Sequence, residues 1–267
     1  NYTQSNKLKL KNFMKNINGY SLTIINALFL IFPLSLILGN FFTNLNIILF
    51  SIFALIFYNK KIIKFKINFL DKIILIFFFY TLVVLLINFF ENYSNNEPFS
   101  KLIIHKTFFY LRYLVFYLIL RFLVSQKTLR LDWFSLACAL CATFICLDIL
   151  VQFFLGKDIL GLEPYTDRHY SGVFGEELIA GGYLQKFALF SFFLPFVIKK
   201  NFFQKNLIQF LLLIIFGIGI SLSGNRMPFI LFIFSLIVYF ILDKKLGQYK
   251  YKIFFILFLF LFLNFNL

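Results

Sequence analysis

The chain has 267 residues, of which 61% are hydrophobic and 14% are charged, and its formal net charge is +15. Soluble domains are about 45–50% apolar and about 25% charged, so this composition excludes an ordinary water-soluble fold. The positive charge does not indicate nucleic acid, because most Lys and Arg residues stand in short clusters between apolar runs.

These apolar runs predict an all-α, polytopic transmembrane helix bundle with about nine spans. A spanning helix needs about 20 mostly apolar residues. The segments that meet this requirement are residues 21–38, 41–58, 73–90, 102–124, 133–154, 183–198, 207–223, 227–242 and 253–267.

The connections between the segments differ in positive charge. Eighteen Lys and Arg residues fall in the N-terminal tail and the even-numbered connections, and only four fall in the odd-numbered ones. Because cytoplasmic connections carry the excess of Lys and Arg, we expect the N-terminus in the cytoplasm. We treat residues 1–267 as a single transmembrane domain. The chain begins without Met and ends inside an apolar run, so we expect a fragment of a longer protein.

Two arginines fall on the outer side, against the charge rule. Arg168 lies in the connection at residues 155–182, which we expect to be the longest periplasmic loop, and Arg226 follows a tight turn at 223–225. A cation at the N-terminus of a helix opposes the helix dipole, so Arg226 calls for an anionic partner. Guanidinium suits bidentate phosphate contacts, and the two arginines could clamp a diphosphate. The alternatives are a solvated loop for Arg168 and a snorkelling side chain for Arg226.

A third charged feature lies in the fourth segment. Lys101, His105 and Arg112 share one face at helical spacing, and Arg112 falls near the predicted membrane centre. Charges at that depth face a protein interior or an aqueous cavity. We predict either a cavity for an anionic substrate or a structural ion pair, with Asp148 as a candidate partner. We interpret Arg121 as a side chain that snorkels to the cytoplasmic surface and has no further role.

Metal and cofactor sites are not indicated. Cys138, Cys141 and Cys146 lie in one apolar run, which is typical of small buried helix residues. The two histidines, His105 and His169, have no other ligand residue at metal-binding spacing. We therefore expect neither a metal nor a cofactor.

Two stretches resemble a known family. RHYSGVFGEELIAGGYLQKF, residues 168–187, is similar to the stretch of the O-antigen ligase and O-antigen polymerase family that combines Arg, Gly-x-Phe and Ala-Gly-x-x-Leu. LSGNRMPFILFIFSLIV, residues 222–238, resembles that family's Ser-Gly-(Ser)-Arg segment, with Asn225 where Ser is commoner.

This resemblance implies a metal-independent glycosyltransferase in the bacterial inner membrane that is active on the periplasmic face. Its donor would be a glycan on undecaprenyl diphosphate, and its acceptor the lipid A-core of lipopolysaccharide or another lipid-linked repeat. Arg168 and Arg226 match the family's arginines and would bind the donor diphosphate. The family's general base lies in a periplasmic loop that should follow the ninth segment, so we assign no catalytic residue.

Two other functions stay open. The charged face around Arg112 also fits a transporter or flippase for a lipid-linked anionic substrate. A structural or assembly role in the membrane is the remaining alternative. The sequence alone does not separate a ligase from a polymerase.

Overall fold

A computed structural model describes residues 2–63, 67–94, 100–164, 166, 169–175, 177–191 and 202–242. Over that part of the chain the regular secondary structure is helical, and the only strand-like feature is an isolated bridge between Thr166 and His169. The predicted all-α class is therefore confirmed for the described residues.

The helices follow the predicted segments in order. They are α1 (Tyr2–Ile37), α2 (Asn40–Ile63), α3 (Phe69–Ser94), α4 (Ser100–Ser125), α5 (Leu131–Leu155), α6 (Ala180–Ser191), α7 (Phe202–Leu222) and α8 (Arg226–Leu242), with a 3-10 turn at Gly172–Phe174. Each of the first eight predicted segments overlaps one of these helices. The ninth, residues 253–267, lies outside the described residues.

Within the described part of the chain, four helices are long and apolar enough to cross a membrane. These stretches are Tyr20–Ile37, Asn40–Tyr58, Phe69–Asn88 and Leu131–Leu155, and shorter apolar stretches occur at Leu211–Leu222 and Arg226–Val238. The helices also expose many large apolar side chains, such as Phe79 at 68% and Ile76 at 66%. Exposure of this kind is favourable in lipid and unfavourable in water.

The chain divides into two compact units, residues 1–130 and 131–267. In the first unit, α1 packs on α2, and α4 packs on both α2 and α3. The amide of Asn26 in α1 donates to the carbonyl of Thr128 at 3.2 Å and accepts the N–H of Arg130 at 2.8 Å. This side chain therefore fastens the segment that follows α4 to α1.

A buried acidic residue organises the start of α3. Asp71 is 0% exposed, and it accepts hydrogen bonds from the Tyr117 hydroxyl at 2.6 Å and the Asn68 N–H at 2.8 Å. Arg121 Nε lies 3.5 Å from Asp71 Oδ1. The interpretation of Arg121 as a side chain without a role is corrected here, because its guanidinium neutralises a carboxylate that is out of reach of water.

In the second unit, α5 packs on α6 and α7, and α6 also packs on α7 and α8. Small residues line the buried face of α5, and they let α7 approach closely. A β-carbon at Gly219 would stand 2.6 Å from Cys146 Sγ, and that thiol donates to the Ile215 carbonyl at 3.1 Å. The cysteines are free thiols, which agrees with their interpretation as small helix residues.

Candidate functional site

The connection between α5 and α6 is fastened to α5 by two polar side chains. Asp148 and Gln152 are both 0% exposed. They lie one turn apart, so both point from the same face of the helix. Their partners are backbone groups at positions 159, 162, 172 and 173 of the connection.

Each of these two side chains joins two separate parts of the connection, residues 158–162 (the first limb) and residues 171–175 (the second limb). Asp148 accepts the N–H of Ile159 at 2.9 Å and the N–H of Val173 at 2.7 Å. Gln152 accepts the N–H of Gly172 at 2.9 Å and donates to the carbonyl of Leu162 at 3.3 Å. The limbs are therefore held side by side against α5.

Gly172 makes the close approach of the second limb possible. Its φ is +55°, a backbone conformation that residues other than Gly rarely adopt. A β-carbon at this position would overlap Oδ2 of Asp148. The Gly-x-Phe motif at residues 172–174 therefore begins at the position where the backbone lies against the Asp148 carboxylate. Phe174 then packs on Tyr183 of α6, with ring centroids 5.7 Å apart.

The turn between α7 and α8 lies against the same connection. Asn225 Nδ2 donates to the Leu178 carbonyl at 2.8 Å, and the Tyr170 N–H donates to the Leu222 carbonyl at 3.4 Å. A β-carbon at Gly181 would overlap Ser223 Oγ. The two family-like stretches, which are far apart in the sequence, are therefore neighbours in the fold.

The two predicted arginines differ in how far the structure describes them. Arg226 is the first residue of α8 and is exposed, and its guanidinium forms no hydrogen bond or ion pair with another described residue. Arg168 lies outside the described residues. The nearest described residues on either side of it are joined, since the His169 N–H donates to the Thr166 carbonyl at 3.1 Å.

The charged face of the fourth segment belongs to α4, in the first unit. The side chains of Lys101 and His105 lie outside the described part of the chain. Arg112 Nη2 donates to the Tyr113 hydroxyl at 3.1 Å, and its guanidinium lies 4.9 Å from the centre of that ring. No described carboxylate pairs with Arg112, and both oxygens of Asp148 bind loop amides. The cavity at this face stays a prediction.

Sequence reasoning missed Gln152 and the structural roles of Gly172 and Asn225. A sequence signal for Gln152 was present, because Asp148 and Gln152 are spaced i, i+4 in a run that is otherwise apolar. Paired polar residues near the end of a span suggest that backbone approaches there. Nothing in the sequence indicates that Asn225 bonds to Leu178, since that contact depends on how α6 and α8 meet.

Within the described residues, no group of three or more His, Cys, Asp and Glu side chains could hold a metal ion. Comparisons with protein-family models, with curated proteins and with solved structures each give no significant match.

Proposed function

We propose that the chain belongs to a membrane glycosyltransferase of the O-antigen ligase type. In this proposal it crosses the bacterial inner membrane about nine times with a cytoplasmic N-terminus. On the periplasmic face it transfers a glycan from undecaprenyl diphosphate to the lipid A-core. The observation that carries the proposal is the contact between the two family-like stretches, through Asn225 with Leu178 and Tyr170 with Leu222.

The position of Arg226 supports a role in anion binding. A cation in the first turn of a helix is unfavourable for the helix dipole, so Arg226 does not serve the stability of α8. Its side chain is exposed and forms no hydrogen bond or ion pair with a described residue. The backbone beside it is fixed by Asn225. An exposed guanidinium on a fixed backbone is suited to bind a phosphate.

The proposed chemistry needs charge neutralisation where the glycosidic bond breaks. Arg168 is two residues before Tyr170 in the sequence, and Tyr170 bonds to the end of α7. Two guanidinium groups on neighbouring segments would bind the donor diphosphate and stabilise it as it leaves with its negative charge. The residue that takes the proton from the acceptor hydroxyl is not assigned.

The test is deletion of the gene that encodes this chain, followed by complementation and gel analysis of the surface glycolipids. The variants are Arg226→Ala and Arg226→Lys, and Lys157→Ala is the matched control. Lys157 is also a loop cation, and its partner Glu163 at 3.2 Å is itself 72% exposed. Surface pairs of this kind contribute little to stability.

We expect the deletion to remove long glycan from the core and to leave lipid-linked polymer unused. Wild type and Lys157→Ala should restore the long glycan, whereas Arg226→Ala should not, although it inserts normally. Single repeats on the core would indicate a polymerase instead. An unchanged glycolipid profile in the deletion strain would reject the proposal. The next assay would then be flux of a lipid-linked substrate in reconstituted vesicles, which tests the transporter hypothesis.

A further inference from the structure

The first limb of the connection returns along α5 instead of leading away from it. Helix α5 ends at Leu155, and Asp148 lies seven residues earlier. At 1.5 Å per residue, that is about 10 Å back along the helix axis. The N–H of Ile159 nevertheless reaches Asp148 Oδ1 at 2.9 Å. Helix side chains tilt toward the N-terminus, so Asp148 does not reach up to the loop, and the limb descends to it.

The surface of this region is apolar where it is exposed. Phe154 and Leu155 at the end of α5 are each 75% exposed, and Ile159 and Leu160 in the limb are 56% and 68% exposed. A turn that stands in water rarely shows adjacent exposed Ile and Leu beside two exposed apolar helix residues. Phe154 and Leu155 end the candidate span Leu131–Leu155, and Ile159 and Leu160 follow within five residues of its end.

Most of the backbone N–H groups of the limb are hydrogen-bonded to the protein itself. Of the five N–H groups of the limb, those of residues 158, 159, 161 and 162 donate to a protein oxygen, and that of Leu160 has no partner among the described residues. Two of those oxygens are carboxylate oxygens, one from Asp148 and one from Asp158, and Gln152 supplies a donor for the Leu162 carbonyl. In hydrocarbon an unpaired backbone group costs several kcal/mol, so irregular backbone at membrane depth must be satisfied by protein.

We propose that residues 158–162 form a re-entrant limb whose tip, Ile159 and Leu160, contacts the acyl chains of the bilayer. The depth, the apolar exposure and the internal bonding each point to lipid. The lipid is the occupant of this surface because the limb follows directly after Leu131–Leu155, which is long and apolar enough to cross a membrane. The inference does not depend on the proposed reaction.

Tryptophan quenching tests this placement directly. The chain has one Trp, so the Trp133→Phe variant gives a silent background. Leu160→Trp is then added and the protein is reconstituted in phosphatidylcholine vesicles with bromine on the acyl chains. Phe79→Trp, at a position 68% exposed in α3, is the control for lipid contact. Thr166→Trp, at an exposed position between the limbs, is the control for water contact.

We expect the Leu160→Trp fluorescence to be quenched nearly as strongly as that of Phe79→Trp and at least twice as strongly as that of Thr166→Trp. Bromine near the head-group end of the chain should quench it more than bromine near the methyl end, because the limb descends only about 10 Å. Quenching no stronger than for Thr166→Trp would place the limb in water and overturn the proposal. Ile159→Trp gives a second, independent reading if the Leu160 variant is not recovered.

Discussion

The backbone of Gly172 lies against the carboxylate of Asp148, so closely that an added β-carbon would stand 3.3 Å from Cγ and overlap Oδ2. The carboxylate also holds the N–H of Val173 at 2.7 Å. Any side chain at position 172 would force these groups apart.

Gly172→Ala is therefore expected to release the second limb and to cost about 2 kcal/mol or more, from the left-handed conformation and the overlap together. Gly182→Ala is the matched control, because nothing lies within 4 Å of that β-carbon. In a helix this change should be neutral or stabilising. Thermal unfolding in detergent and protease cleavage between the limbs measure the effect. Equal stability of the two variants would contradict the described packing of Gly172.

Asp158 offers a substitution expected to stabilise the protein. It is 6% exposed, its Oδ1 accepts the Leu162 N–H at 2.5 Å, and its Oδ2 has no hydrogen-bonding partner among the described residues. Asp158→Asn keeps the first bond and removes a buried negative charge. Because a buried charge without a partner costs more than a buried neutral amide, we expect a higher midpoint of thermal unfolding. A lower midpoint would mean that a cation outside the described residues pairs with Asp158.

Asn225 stands directly before α8 and is also hydrogen-bonded to Leu178, and two substitutions distinguish these two contributions. Asn225→Ser keeps a good helix-capping residue, but the shorter side chain loses the 2.8 Å bond to the Leu178 carbonyl. We expect a loss of about 1 kcal/mol, the usual net value of a hydrogen bond. Asn225→Ala should lose more, because Ala is also an unfavourable residue at the position directly before a helix. Thermal unfolding in detergent ranks the three proteins, and equal values for Ser and Asn would show that the link contributes nothing.

The buried cluster at the start of α3 predicts a graded series in the first unit. Asp71→Ala removes the ion pair with Arg121 together with the hydrogen bonds from Tyr117 and Asn68, so it should cost the most stability in the series. Tyr117→Phe removes one bond to a charged acceptor and should cost about 1.5–2 kcal/mol. Lys72→Ala, at the exposed neighbouring position, is the control and should change little. Chemical unfolding in detergent measures the free energies of unfolding of these variants. A Tyr117→Phe variant as stable as wild type would show that the Tyr117 hydroxyl does not stabilise the cluster.

The helices could be predicted because a long apolar run determines them almost by itself. The fifth segment, expected at 133–154, is Leu131–Leu155 in the structure. The first was expected at 21–38, but α1 begins at Tyr2. Hydropathy locates the part of a helix that suits lipid, and it carries no information on how far the helix continues into water.

The contacts between helices could not be predicted in this way. Asp71 and Arg121 are 50 positions apart, and their pairing depends on α3 lying beside α4. Asp148 was expected to face other charges, yet its oxygens bind amides of a connection whose path the sequence does not show. The candidate site was predicted as two motifs, and their contact through Asn225 required the fold.

The Asn26 side chain has a consequence for biosynthesis. Two of its hydrogen-bonding partners, Thr128 and Arg130, are made 102 and 104 residues later. Until the ribosome has reached Arg130, the amide of the first helix lacks both of these bonds. The first unit ends at that same residue. We therefore expect residues 1–130 to complete their packing in the membrane only after Arg130 has been synthesised, when the Asn26 side chain gains these two hydrogen bonds.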